Sequence, residues 1–166
     1  MSELYERRLS LVIGDENGNG LELSEFRVKF LINRADVQSP ANADIRIYNL
    51  SDDTMSQIRA EYTHVFLQGG YEANFGLLFN GKVRQFRKGR ENPTDTFLDI
   101  LAQDGDEGYN YAVVNTTLPA GWNQDEMHTE IIKAFDPYGV TEGYKPTFGG
   151  PALPRARVMY GMARDY

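Results

Sequence analysis

The sequence predicts a mainly β fold with a few helices (α+β), an antiparallel β-barrel or sandwich of about six or seven strands. Three observations carry that reading. Apolar and polar residues alternate with period two in several short segments, as they do in half-buried strands. Those segments are bounded by Gly, Asn and Pro, the residues that turns prefer. Before residue 108 only one stripe at helical spacing interrupts them, too few helices for the crossovers of a parallel sheet. The expected division is a β domain over residues 1–108 and a mixed helix and loop segment over 109–166.

Taken in order, Leu9, Leu11 and Ile13 alternate with Arg8, Ser10 and Val12 as a first strand. In EFRVKFLINR, Phe26, Val28, Phe30 and Ile32 share one face, with Arg27, Lys29 and Leu31 on the other. This is the clearest half-buried strand. Leu21 and Leu23 have the opposite parity, so a kink or bulge is expected near Ser24 and Glu25. Ala43, Ile45 and Ile47 share a face of NADIRIYNL. Ser51 then opens SDDTMSQIRAEY as an N-cap with acids in the first turn. Met55, Ile58 and Tyr62 give that short helix a narrow apolar stripe, suited to covering one end of a sheet. Three further strands are read in THVFLQGGY, FGLLFNGKVRQF and TDTFLDILAQDG, with RKGRENPT as a hairpin connection between the last two.

From Tyr109 the texture changes. Asn123, followed three residues on by Glu126, is a near capping box. Met127, Ile131, Ala134 and Phe135 continue at helical spacing, and YGVTEGYKPTFGGPALP reads as loop. Met159, Met162, Ala163 and Tyr166 fall on one helical face of RVMYGMARDY. The pattern is unfinished where the chain stops, so a piece of a longer protein is expected.

The net charge of −7 and pI of about 4.8 argue against a general nucleic-acid surface, which needs Lys and Arg to replace phosphate counterions. The absence of cysteine removes disulfides, thiolate zinc sites and cysteine nucleophiles. MSELYERRLS has no apolar signal core, and no run approaches the roughly 20 apolar residues of a membrane span. Synthesis and folding in a cytoplasm, with no membrane contact, are expected.

The stretch DENGNGLELSEF at residues 15–26 begins like a calcium-binding EF-hand loop. The bidentate Glu that such a loop needs at its last position is replaced by Phe26, with Glu25 one place early. The flanks are strand patterns, and Asn17-Gly18 and Asn19-Gly20 are hairpin signals. A hairpin is expected here, with no metal. The acids Asp104, Asp106 and Glu107 read as a solvated turn rather than as two carboxyl groups flanking a bond. His64 and His128, the only histidines, have no metal-ligand spacing, and no G-x-S-x-G elbow is present. The glycines of LQGGY and FNGKV read as backbone devices, because no helix N-terminus comes after them to cradle phosphate.

KVRQFRKGR concentrates Lys82, Arg84, Arg87, Lys88 and Arg90. In an acidic chain these fit either a docking point for a partner's acidic face or a solvated hairpin end that protects an edge. Trp122, between a Gly and a helix cap, fits either a core anchor or an interface residue.

The order of these segments resembles the first, tube-like domain of contractile-tail phage baseplate hub proteins. The resemblance runs through N-x-A-x-I-x-I-x-N-L-S at residues 42–51, then G-G-Y at 69–71, F-x-G-x-V at 79–83 and D-G at 104–105. The late segments TLPAGWNQDEMHTEIIKAF and RVMYGMARDY resemble the region after that first domain in the same family. Each motif is structural and weak alone; their order and spacing carry the likeness.

The resemblance implies a virion component without catalysis or cofactor. In that family three subunits with two tube-like domains each form a pseudo-sixfold ring between tail tube and central spike. The implied partners are further copies of the chain, the tail-tube protein, the spike and the tape-measure protein. Stable nucleic-acid binding is not expected, since an acidic lumen would let DNA pass without sticking. The implied contact groups are Lys82, Arg84, Arg87, Lys88 and Arg90, with Asp15, Asn17 and Asn19 of the hairpin and Trp122. This chain alone, with half of a ring interface, is expected to be monomeric. The competing readings are a tail-tube or type VI-like tube subunit in six copies, and a carbohydrate- or receptor-binding β-sandwich using Trp122 and the tyrosines. An enzyme built on Asp104, Glu107 and a histidine is the weakest.

Overall fold

A computed structural model describes residues 7–15, 20–35, 39–72 and 74–166. The chain divides into two compact units, Met1–Asp104 and Gly105–Tyr166, a few residues before the change of texture at Tyr109.

In the first unit, strands β1 (Arg7–Gly14), β2 (Gly20–Glu22), β3 (Val28–Asn33), β4 (Asn42–Tyr48), β5 (His64–Tyr71), β6 (Asn74–Arg90) and β7 (Thr96–Gln103) form one antiparallel sheet. Its order is β2-β1-β5-β6-β7-β4-β3, and helix α1 (Asp52–Glu61) connects β4 to β5. Strand β6 is 17 residues long and serves both halves. Its first part pairs with β5 as far as Lys82↔His64, and its second part pairs with β7 from Lys82↔Gln103 onward. One core cluster takes Leu11, Ile13, Val65, Leu67 and Phe79 from one half and Ala43, Ile45, Ile47, Leu98, Ile100 and Ala102 from the other. The two halves therefore face each other, joined at a corner in β6. Each fully buried aliphatic chain in that cluster contributes about 1.5–3 kcal/mol of transfer free energy.

Gly81 makes the corner possible: a Cβ there would lie 2.6 Å from the Gln103 carbonyl oxygen and 2.8 Å from the Phe79 ring. A bulge comes next, between Val83 and Gln85, the usual device by which a strand bends between two packed layers. The glycines of LQGGY are likewise backbone devices, since a Cβ on Gly70 would meet the Asn74 carbonyl oxygen in the β5–β6 hairpin.

A second corner lies at residues 23–27. Leu23 N donates to Leu11 O at 2.8 Å, keeping the chain on β1, and Tyr48 N donates to Arg27 O at 3.0 Å, bringing it onto β4. The expected break at Ser24 and Glu25 is this turn. Among the described residues β2 and β3 form no ladder with one another. The result is an open sandwich and not a closed barrel.

The strand read as the clearest half-buried one is an edge strand. Its register, Val28↔Ile47, Phe30↔Ile45 and Ile32↔Ala43, puts three of the four anticipated residues on the core side, whereas Phe26 falls in the turn before the strand and is 39% exposed. With no strand beyond it among the described residues, Phe30 is still 40% exposed and Leu31, on the outer face, 62%. Strand parity reports the face of a strand and carries nothing about its place in the sheet.

The connection from β4 into α1 explains the N-L-S motif. Asn49 has φ 58, a left-handed conformation that Asn tolerates better than most residues. Its backbone N–H donates to Thr96 O and its Oδ1 accepts from Thr96 N, both at 3.0 Å. Leu50 enters the core, and Ser51 Oγ accepts from Thr54 N at 3.1 Å to cap the helix. Met55 and Ile58 are buried in the same core, as their spacing predicts. Strand β6 continues through Arg90, so the hairpin connection is confined to residues 91–95 and not to the longer RKGRENPT. There Asn92 Oδ1 accepts from Thr94 N at 2.9 Å and Asp95 N at 2.7 Å.

The second unit contains α2 (Asp106–Tyr111), β8 (Val113–Leu118), α3 (Gln124–Phe135) and β9 (Arg157–Met162). The capping box on α3 is complete: Glu126 N donates to Asn123 Oδ1 at 2.9 Å and Asn123 N to Glu126 Oε2 at 3.3 Å. Met127, Ile131, Ala134 and Phe135 pack against Val114, Leu118, Trp122 and Met159. Two expectations are corrected here. RVMYGMARDY is not helical; its first part is strand β9, antiparallel to β8, and a short 3-10 turn at Ala163–Asp165 ends it. Its spacing of 159, 162, 163 and 166 mimics a helix, but Val158 and Tyr160 favour a strand, Gly161 disfavours a helix, and β8 supplies the partner. The acids after β7 are a solvated turn only in part: Asp104 and Glu107 are exposed, whereas Asp106 is 8% exposed at the start of α2, with Asn110 Nδ2 donating to its Oδ1 at 3.0 Å. Among the described residues, no helix is long and apolar enough to cross a membrane.

Candidate interface surfaces

Strand alternation divides the basic run of β6 between two faces. Arg87 is the register partner of Asp99 on the outer face, and its Nη2 donates to Gln85 Oε1 at 2.9 Å. Lys88, one residue on, pairs with buried Leu98 in the register. Its Nζ reaches Asp52 Oδ1 in the first turn of α1 at 2.6 Å. That hydrogen bond, and then the ammonium charge, holds the Asp52 carboxyl below the usual carboxylate range. Arg90 Nη1 donates to Pro93 O at 3.3 Å within its own hairpin. Lys82 is half-buried at the corner, and Arg84 is exposed at the bulge.

These five cations do not form one contact loop, because all of them lie within a single strand. Lys88 fastens α1 to the sheet and Arg90 braces a turn, whereas Arg84 is the member of the run placed at an irregularity. The β1–β2 pairing, with Gly14↔Gly20 as its last register pair, places Asp15 at the hairpin end. Asn17 and Asn19 lie outside the described residues.

Trp122 is a core anchor of the second unit. It is 5% exposed, its Nε1 donates to Arg155 O at 2.8 Å, and it forms a β-bridge with Leu153. A ring so covered offers no stacking face to a sugar. His128 lies on α3 with Nδ1 3.5 Å from Glu142 Oε1, and His64 stacks on Phe66 with ring centroids 5.7 Å apart. Among the described residues, no group of three or more His, Asp or Glu side chains is placed to hold a metal ion.

Two features escaped sequence reading. One is the edge of β3, with Phe30 and Leu31 exposed at the end of the sheet order. The other is Arg59 in the last turn of α1, which shares a groove with Arg84. Neither has a local signal, since both depend on which distant segment lies beside them. Comparison with known proteins finds no family model and no curated protein that matches the chain.

Proposed function

We propose that the chain is a structural subunit of a contractile-tail baseplate hub, part of the ring that joins tail tube to central spike. The observation that carries this reading is the edge at β3, open among the described residues. Natural monomers blunt their sheet edges with charge, proline or cover, because an exposed apolar edge recruits another strand. Within Val28–Asn33 the one charged residue is Lys29, while Phe30 and Leu31 are largely exposed. A subunit whose sheet is continued by its neighbour uses such an edge as its interface.

The segments that resemble hub proteins support the same reading, because they coincide with the joints of this sandwich. The N-L-S segment turns β4 into α1, the paired glycines close the β5–β6 hairpin, and Gly81 sits at the corner. The acidic balance of −7 suits a ring through which DNA passes without adhering. Light scattering and electron microscopy of the full-length gene product test the reading. Rings of three subunits, lost in Leu31→Lys while the circular dichroism is retained, are expected. Six identical copies would point instead to a tube subunit, and assembly indifferent to Leu31→Lys would remove the role of β3.

A further inference from the structure

A ring of identical subunits joined through β3 needs a second surface. Two copies of β3 facing each other close at a dimer, whereas a ring requires a head-to-tail contact between two different edges. The strands that end the two sheet orders are β2, β3, β8 and β9. Of these, β2 is only three residues long. Strand β9 is closed, because Tyr160 N donates to Tyr166 Oη at 2.9 Å. That leaves β8, six residues with no charge and no proline to blunt its edge.

The backbone of β8 is turned outward in a regular way. Ala163 N donates to Ala112 O at 2.9 Å, and hydrogen-bonded pairs alternate from there with non-hydrogen-bonded ones. Val113↔Met162, Asn115↔Tyr160 and Thr117↔Val158 are the non-hydrogen-bonded pairs, and the Tyr160 contact to Tyr166 gives the same parity. The N–H and C=O groups of Val113, Asn115 and Thr117 therefore point away from β9, and all three residues are exposed. The bond from Tyr48 N to Arg27 O fixes β3 in the same manner, so that Val28, Phe30 and Ile32 turn their backbone groups away from β4. The side of β6 left free before Lys82 is a poorer template. It carries Gly76 and Gly81 and a register shift opposite Leu67 and Gln68, features that leave strand pairing weakly specified.

We propose that β8 of one copy pairs antiparallel with β3 of the next. This inference rests on the reading of β3 as a ring interface and names the strand that β3 meets. Both strands have six residues, and their outward-facing triplets share the same two-residue spacing. In such a pair Val113, Asn115 and Thr117 stand on the face of Val28, Phe30 and Ile32, where they cover the Phe30 ring, 40% exposed in the single chain. Lys29 is the one charged residue in either strand. No like charges therefore meet across the junction, although the whole chain carries a net charge of −7. The two-stranded β8–β9 sheet, a marginal unit by itself, also gains a third strand.

Light scattering of the full-length gene product, its variants and their mixtures tests the pairing. Asn115→Pro removes an outward N–H and leaves the β8–β9 hydrogen bonds in place. Asn115→Lys keeps that N–H and charges the edge. Each should convert rings to monomers with the circular dichroism retained, as Leu31→Lys does from the β3 side, whereas Asn115→Ser should assemble like the parent. Mixing Asn115→Pro with Leu31→Lys should give dimers containing one of each, because one intact β3 then meets one intact β8. Rings in both Asn115→Pro and Asn115→Lys, with Leu31→Lys monomeric, would overturn the part given to β8 and leave β3 as the interface. Rings in Leu31→Lys, or a parent that stays monomeric, would remove β3 and with it the pairing. Dimers of either variant alone would show like edges meeting and would overturn the head-to-tail contact.

Discussion

Arg46 on β4 grips both carboxylate oxygens of Asp99 on β7, with Nε to Oδ1 at 2.6 Å and Nη2 to Oδ2 at 2.9 Å. The two residues are register partners within the β4–β7 ladder. The guanidinium also lies over the Phe97 ring at 3.9 Å. The hydrogen bond to Asp99 is the chief reason that the Arg46 pKa is raised above its ordinary value. With side chains 30% and 13% exposed, the pair is shielded enough to matter and is not a fully buried charge.

Asp99→Ala should therefore destabilise the first unit by about 2 kcal/mol, the scale of lost charged hydrogen bonds. Arg46→Lys should also lose stability, since an ammonium supplies neither the fork nor the flat face over Phe97. Urea unfolding monitored by circular dichroism measures both. An Asp99→Ala midpoint equal to that of the parent would show that the pair contributes nothing.

Asp52 and Lys88 make a pH-dependent clasp between α1 and β6. The Asp52 pKa is depressed in the folded state, first by the hydrogen bond from Lys88 and then by its charge. A depressed carboxylate contributes stability that is fully present above its unfolded value, about 3.9, and is lost as pH falls through the lower folded value. Asp95, depressed by hydrogen bonds from Asn92 and then Asn49, acts in the same direction and window. In Lys88→Met, the carboxyl resonance of Asp52 should titrate at higher pH than in the parent. The stability gap between the two proteins should close as pH drops below the ordinary carboxylate range. A gap that persists in acid would show that Lys88 works by packing alone.

Gly81 and Gly76 lie in the same strand and should respond oppositely to alanine. A Cβ at Gly81 meets the Gln103 carbonyl, whereas one at Gly76 meets nothing within 4 Å. Gly81→Ala should cost about 1–3 kcal/mol, the range for overpacking. Gly76→Ala should be neutral or stabilising by up to about 1 kcal/mol, because it removes backbone freedom from the unfolded chain. Thermal unfolding of the two variants decides; equal losses would mean that the corner does not depend on the missing Cβ.

Much of the local structure was legible in the sequence because its causes are local. Alternation marked the core faces of β1 and β4, and Ser51 and Asn123 marked the starts of α1 and α3. The Gly-rich turns were identified as backbone devices without knowing what they approach. The reading that failed was RVMYGMARDY, where Met159, Met162, Ala163 and Tyr166 fall at helical spacing although Val158 and Tyr160 favour a strand. The pairing with β8 decided between them.

The sequence by itself determined which side chains of β1 and β4 point inward, where α1 and α3 begin, and where the chain turns before β3, since each depends on residue spacing within a few positions. Only the tertiary structure decided that β3 is an edge, that β6 turns a corner, and that the cations of one strand serve different ends. Lys88 meets Asp52 across 36 residues of sequence, and Arg59 shares a groove with Arg84. Such neighbours are chosen by the folding of one half of the sheet onto the other. That choice depends on the summed burial of the whole core, and no local period records it.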